Sequence, residues 1–469
     1  MTSEVTAAYI MMVAVAFIDG ALRITNIPTF YMWKDFLGVT PGMNCLLRYV
    51  TKLPWCIKPV FAYFSDRHYI FGYRTKIYFV ITGVIEALTL WLLSIKVHNI
   101  YYVTILIFVD QATISFRDCL AEGLMVVLSR KEDEKQTQGL ANIEDKKANS
   151  SSQRYVSVIF ILRFVGALAS SYVAGLLLQV FTPHQLMGIT SVLPIVSTIH
   201  AIFFFNEKRV KNTKEVAMKF KSFSIRDIFS FIEEYNLKSY IFYITLMLLW
   251  PNTINGIRYF LIDVLYFTTK DVGMIFTISS LVYIVYMFFM NTFFRTYSLR
   301  NFYISICLMM VLNIAVRQLQ MTPELYSLAF LFAIVDQSIN NLFYDLPAIP
   351  LLAIVCRNCP NSKEATYYAF FVSLSNFFCS LANFTGYIVL DLMGVTAANY
   401  TNVTAVNVVC LIWSFLCWNL SYYVMYPDTM KIKGPRETAR KAEKVYVEPE
   451  SEVFDYSEPI SSKHEESDK

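Results

Sequence analysis

Charge is what this chain has little of: Asp, Glu, Lys and Arg together make up 16% of its 469 residues, against 56% apolar residues and a mean hydropathy of +0.45. A soluble core cannot absorb that much apolar surface. Histidine is scarcer still, at five copies. No His cluster and no second pair accompanies the close cysteines Cys356-Arg-Asn-Cys359, so a zinc or redox centre lacks its other half and no metal or cofactor is expected. The other cysteines are scattered, mostly within apolar segments (Cys56, Cys119, Cys307, Cys379, Cys410, Cys417). There they behave as small apolar residues and build no disulfide framework. A secretory signal is lacking too: Met1 to Val5 have no basic stretch, and the first apolar run is too long for one. The first span is therefore expected to act as its own insertion signal.

What the chain does have is a succession of runs near 20 apolar residues, the length needed to cross ~30 Å of hydrocarbon. They centre near residues 20, 54, 86, 114, 168, 195, 253, 283, 310, 338, 378 and 414. An all-α integral membrane protein of about twelve transmembrane helices follows, with the second, fourth and tenth runs interrupted by charge. Cations are retained on the cytoplasmic side of short loops. With both termini cytoplasmic, the inner connections hold 21 Lys and Arg, while the outer ones hold three, Lys34, Lys96 and Lys270. The sequons Asn399-Tyr-Thr401 and Asn402-Val-Thr404 then fall in the last outer loop, making Asn399 and Asn402 candidate glycosylation sites. This bias also accounts for the formal net charge of +4, so no nucleic-acid partner is expected.

The chain divides into a first bundle of six helices (1–205), a basic linker (206–238), a second six-helix bundle (239–426) and a polar, disordered cytoplasmic tail (427–469). Residues 131–153 read as polar and mobile. The linker interleaves Lys208, Arg209, Lys211, Lys214, Lys219, Lys221 and Arg226 with Phe220, Phe223, Ile225, Ile228 and Phe229. It reads either as an amphipathic segment on the inner leaflet or as a solvated connector. An internal repeat supports the two bundles: Val109-Asp110-Gln111 in the fourth span recurs as Val335-Asp336-Gln337 in the tenth, followed by Asp118 and Asp345. These spans are equivalent when a six-span unit is duplicated.

Between the second and third spans stands Leu53-Pro54-Trp55-Cys56-Ile57-Lys58-Pro59, then Ser65-Asp66-Arg67 and Gly72-Tyr73-Arg74-Thr75-Lys76. A membrane anchor has no need of so specific a polar turn. Pro251, Tyr259-Phe260 and Gly273 follow in the second half, then Asp345-Leu-Pro347, Cys359-Pro360 and Glu364-Ala365-Thr366. These blocks resemble the signature of the folate/biopterin transporters, a branch of the major facilitator superfamily. The resemblance departs at Ala62 and Thr75, where that family has Gly and a second Arg, and in the wider spacing of Asp110 and Asp118.

The resemblance implies a secondary carrier of folate, biopterin or a related pterin, working by alternating access and coupled to protons, in the plasma membrane rather than an organelle. Another small organic anion, such as an amino acid or nucleotide, and a non-transporting receptor of the same fold are the alternatives. An enzyme would need reactive side chains gathered on a sizeable loop, and the outer loops have none. The turn residues Asp66, Arg67 and Arg74 are expected to latch helices of opposite halves in one conformation and release them in the other. They also serve as topology determinants.

A charge at the bilayer centre costs at least ~2.5 to 3.5 kcal/mol and must be paired or wet. Sixteen ionisable residues fall within runs: Asp19, Arg23, Arg48, Lys52, Glu86, Asp110, Arg117, Asp118, Glu122, Arg163, Arg258, Asp263, Arg317, Asp336, Asp345 and Asp391. Asp391 and Arg317, near run ends, are expected to reach the interface. Asp110, Asp118, Arg163, Arg258 and Asp336, near midspan, are expected to line a wet cavity between the halves, unless structural pairing such as Arg117 with Asp110 holds them. Asp110, Asp118 and Asp336 are the candidates for the pterin edge or for a desolvated, proton-carrying carboxyl. Arg163 and Arg258 are the candidates for an anionic substrate end. Asn252, Asn255 and Gly256 after Pro251 predict either a locally opened seventh helix or a plain proline kink.

Overall fold

A computed structural model describes residues 3–139, 151–207, 209, 225–235, 237–293, 299–358 and 364–424. The polar tail, most of the basic linker and the Cys356/Cys359 pair lie outside the described side chains, as do those of Asp66 and Asp345.

Backbone groups in hydrocarbon must be satisfied internally, so apolar runs of this kind become helices. The N-terminal part comprises α1 (Ser3–Ala21), α2 (Asn26–Tyr31), α3 (Pro41–Lys52), α4 (Lys58–Arg67), α5 (Lys76–Leu93), α6 (Ile100–Gly139), α7 (Ser151–Leu177), α8 (Pro183–Thr190) and α9 (Val192–Phe203). The C-terminal part comprises α10 (Ile225–Glu234), α11 (Lys238–Leu248), α12 (Ile254–Asp263), α13 (Thr269–Phe293), α14 (Leu299–Gln320), α15 (Ala329–Asp345), α16 (Ile349–Asn358), α17 (Glu364–Leu392) and α18 (Val403–Val424). No β-strand occurs among the described residues, which hold only two isolated bridges.

Among the described residues, seven stretches are long and apolar enough to cross a membrane: Ala8–Phe36, Lys76–Leu93, Val158–Leu177, Pro183–Phe203, Thr269–Phe289, Asn301–Gln320 and Val403–Leu420. The remaining helices carry interior charge, are broken, or, like α17 with its Ser and Asn residues, are less apolar. A 3-10 turn, Leu53–Ile57, separates α3 from α4 around Pro54. Residues 249–253 separate α11 from α12, and Leu346 to Ala348 separate α15 from α16. The α6 helix runs on to Gly139, so part of the stretch read as mobile is helical.

Helix starts on the connections assigned to the outer face are tightly capped. Thr40 caps α3 with Pro41 following, and Thr182 forms a capping box with Gln185 at α8. At α13 the Thr268 hydroxyl and the Asp271 carboxylate trade hydrogen bonds with each other's backbone.

Two contacts join the N-terminal and C-terminal helices along their length. The α7 helix packs on α13 as well as on α1, and α3 and α4 pack on α17. Small residues allow this approach. A Cβ built on Gly273 would stand 2.7 Å from the Gly175 Cα, so the two backbones meet with no room for a side chain. The α10 helix departs from the lipid-facing reading of the linker: Ile228, Phe231 and Ile232 are buried in the protein, with Phe231 against Tyr367 and Phe371. Phe229 on the same helix is exposed.

Candidate functional site

The two Val-Asp-Gln motifs open onto two polar clefts, one in each set of helices. The first, of about 440 Å³, is lined by Trp33, Arg48, Lys52, Asp110 and Gln111 among others. Lys52 Nζ donates to Gln111 Oε1 at 2.6 Å and Trp55 Nε1 donates to the same oxygen at 3.1 Å. Gln111 in turn donates to Asp110 Oδ2. The other carboxylate oxygen, Asp110 Oδ1, is buried with no partner among the described residues, as is Trp33 Nε1. Buried polar atoms are rarely left so.

The second cleft, of about 350 Å³, is lined by Arg258, Phe276, Asp336 and Gln337. Here Arg258 donates to Gln337 Oε1 at 2.7 Å while its guanidinium lies over the Phe276 ring. Each motif glutamine thus accepts from a cation on an earlier helix, which extends the repeat from sequence to geometry. The aspartates differ: Asp336 is held by Arg317 Nε at 2.8 Å and Asn313 Nδ2 at 2.6 Å.

Arg317, expected at the interface, is instead fully buried, reaching Asp336 and also the Thr253 hydroxyl in the break of the seventh span. That break is a local opening and not a mere bend. Asn252 N–H donates to Ala382 O, its carbonyl accepts from Cys45, and its side chain bonds Asn383. Neighbouring helices satisfy the released backbone groups.

Asp118 and Arg163 stand apart from both clefts. Asp118 accepts from Lys58 Nζ at 2.6 Å and pairs with Arg163, while Lys58 also holds Glu122 at 3.1 Å. This is a buried ion cluster with its charges matched, and neither residue is among those lining the two clefts. Arg117 is likewise paired with Asp19 and Glu86 and not with Asp110. Lys58 of α4 and Arg163 of α7 reach Asp118 and Glu122 of α6 from other helices, so no spacing in the sequence points to the pairing.

In the polar turn, Ile70 and Tyr73 exchange backbone hydrogen bonds around Phe71 and Gly72, both at positive φ. Glu207 accepts from the backbone N–H groups of Arg74, Thr75 and Lys76 at the start of α5, where a carboxylate suits the helix N-terminus. Arg67 donates to Tyr63 of its own helix.

At the opposite end the two sets of helices meet. Lys34 Nζ lies 2.6 Å from Asp263, whose other oxygen accepts from Tyr400 OH at 2.7 Å. Tyr259 OH donates to Val39 O at 2.6 Å, and its ring packs edge-on against Phe30. Asn399 and Asn402 are exposed in the same loop as Tyr400.

Broken helices facing clefts, with charge held between two packed sets of helices, describe an all-α integral membrane protein. The fold matches that of the nucleoside transporter NupG with a TM-score of 0.60 at 16% identity, over 92% of this chain and 100% of that one. A point mutant of the same transporter gives 0.61 over 89% and 99%. Residues 19–443 match the BT1 family, and the chain belongs to it. Folate transporter 1 of Plasmodium falciparum is 24% identical over 96% of this chain and 85% of its own length. The folate-biopterin transporter of Synechocystis is 20% identical over 84% and 77%.

Proposed function

We propose that this chain is a secondary carrier that moves folate, biopterin or a related pterin across a membrane by alternating access, coupled to protons. Its family and the relatives named above are transporters, not enzymes, and those relatives carry folate or biopterin in their names. The observation that carries the reading is the first cleft. A buried carboxylate oxygen of Asp110 and a buried indole N–H of Trp33 are both without protein partners among the described residues, and both residues line the same cleft as the cations Arg48 and Lys52. A pteridine edge offers N–H donors to a carboxylate and a ring nitrogen to a donor, its flat face suits Trp33, and a glutamate tail suits cations. Arg258 in the second cleft is the further candidate for the anionic end, and Asp336, which lines the same cleft, is the further candidate for the pterin edge or for proton coupling. Arg163 acts through Asp118, as a structural partner.

In this reading about twelve spans form two six-helix halves with both termini cytoplasmic, in the plasma membrane. Asp66, Arg67 and Arg74 form the inner latch, and Asn399 and Asn402 carry glycans outside. The test is uptake of labelled folate and biopterin into a null host expressing the chain, with unlabelled folate, biopterin, amino acids and nucleotides as competitors. Accumulation competed by pterins alone is expected. Background uptake with the protein at the membrane would rule out the substrate.

A further inference from the structure

Three clusters of opposite charges are buried among the described helices, and they differ in balance. Arg317 faces Asp336, one against one. Lys58 and Arg163 face Asp118 and Glu122, two against two. In the third, Arg117 of α6 faces both Asp19 of α1 and Glu86 of α5, two carboxylates on one guanidinium. Arg117 and Glu86 are 0% exposed. Asp19 Oδ1 accepts from Arg117 Nε and Nη2 at 3.0 and 2.6 Å, and both Glu86 oxygens accept from the same guanidinium.

That triad carries a surplus negative charge in a place where an uncompensated buried ion is strongly destabilising. The groups around it do not supply the missing cation. On α1, Arg23 lies over the Phe164 ring; on α3, Lys52 is bound to Gln111. On α6, Asp110 adds a further negative charge within Coulombic range of Glu86, and Glu122 is held by Lys58. On α7, Arg163 pairs with Asp118, and on α9 the ionisable His200 stacks on Phe204 near the helix end. Lys76, at the start of α5, is exposed and bonds Ile202 O.

The charge is therefore relieved by something that binds there. Three of the four carboxylate oxygens are committed to Arg117. Asp19 Oδ2 alone is buried with no partner among the described residues. A metal cation of the hard kind takes six or more oxygen ligands, whereas a single carboxylate oxygen suits a proton. We propose that the Asp19–Glu86–Arg117 triad is the proton-binding site that couples transport to a proton gradient, one proton being shared by the two carboxylates. The proposal rests on the carrier reading above. Asp110, seven residues before Arg117 and so about two turns along α6, connects the triad to the cleft.

The test is an infrared titration of the purified full-length protein, reading the C=O stretch of protonated carboxylic acid between about pH 5 and about pH 9. Wild-type protein is expected to lose such a band as the pH rises. Glu86→Gln and Asp19→Asn, each of which leaves a matched pair with Arg117, are expected to lack it. The double variant, which strands Arg117, is expected not to accumulate as folded protein. In vesicles loaded with labelled folate or biopterin, the ratio of gradient-driven to gradient-free transport is expected to fall to about one in either single variant. If one single variant fails to fold, the other carries the same test, because each removes the surplus charge. No titrating band in wild type, a band that survives both substitutions, or failure of both single variants to fold would each overturn the proposal. Neither pterin being moved by wild-type protein that still shows the band would sink the substrate reading and leave the proton site standing.

Discussion

At the scale of single residues, two aspartates eight positions apart on α6 separate site from scaffold. Asp110 lines a cleft and has one buried oxygen without a partner among the described residues, while Asp118 is bound by Lys58 and Arg163. Asp110→Asn is expected to leave thermal unfolding in detergent nearly unchanged and to lower folate uptake by about ten- to a hundredfold, the worth of a hydrogen bond to a charged group at about 1.5 to 3 kcal/mol. Asp118→Asn leaves Lys58 on Glu122 alone and strands Arg163, and is expected to cost about 3 to 5 kcal/mol of stability, seen as a lower melting temperature and less protein at the membrane. The reverse order of effects would undo the division drawn here. Both are legible in the sequence as charges that need a reason, since hydropathy exposes any ion inside an apolar run. Their partners are not, because Lys58, Arg163 and Glu86 reach α6 from other helices. Arg317 escapes the sequence for a related reason: it lies one turn from the end of α14, yet Asp336 and Thr253 draw it inward.

At the scale of elements, the apolar helices are legible by length, and those with interior charge are legible as interruptions. The break after Pro251 is visible as a choice between an opening and a kink. Only the hydrogen bonds from Asn252 to Ala382 and Asn383 decide it, and these join helices about 130 residues apart. The same holds for helix contacts made by glycine. The α7–α13 contact depends on Gly175 and Gly273, where an added Cβ would stand 2.8 and 2.7 Å from the opposing Cα. Gly273→Ala drives backbone against backbone and is expected to destabilise the protein by about 1 to 3 kcal/mol and to reduce uptake. Gly256→Ala meets only the end of the Leu390 side chain, at 2.9 Å, and is expected to be tolerated because that side chain can turn aside. Thermal unfolding of the two variants side by side reads the difference, and equal losses would show that the glycine contact does not set the packing.

At the scale of the whole molecule, closure at one end is what alternating access has to undo. The Lys34–Asp263 pair, the Tyr400 hydroxyl on the same carboxylate and the Tyr259 bond to Val39 all tie the N-terminal helices to the C-terminal ones there. Because Lys34 and Asp263 are partly exposed, the pair contributes little to stability, of order 1 kcal/mol or less, and so can be made and broken in a transport cycle. The carrier reading requires that it open. Lys34→Cys combined with Asp263→Cys places two thiols on the two sides of this contact, and a reducible thiol-directed bifunctional cross-linker, spanning the length lost with the lysine side chain, is expected to join them and stop uptake, with a reductant restoring it. Each single cysteine variant under the same cross-linker controls for the native thiols. If the joined protein continued to take up folate at the rate of its reduced form, this end would not separate during the cycle, and substrate would have to pass by a route that leaves Lys34 and Asp263 together.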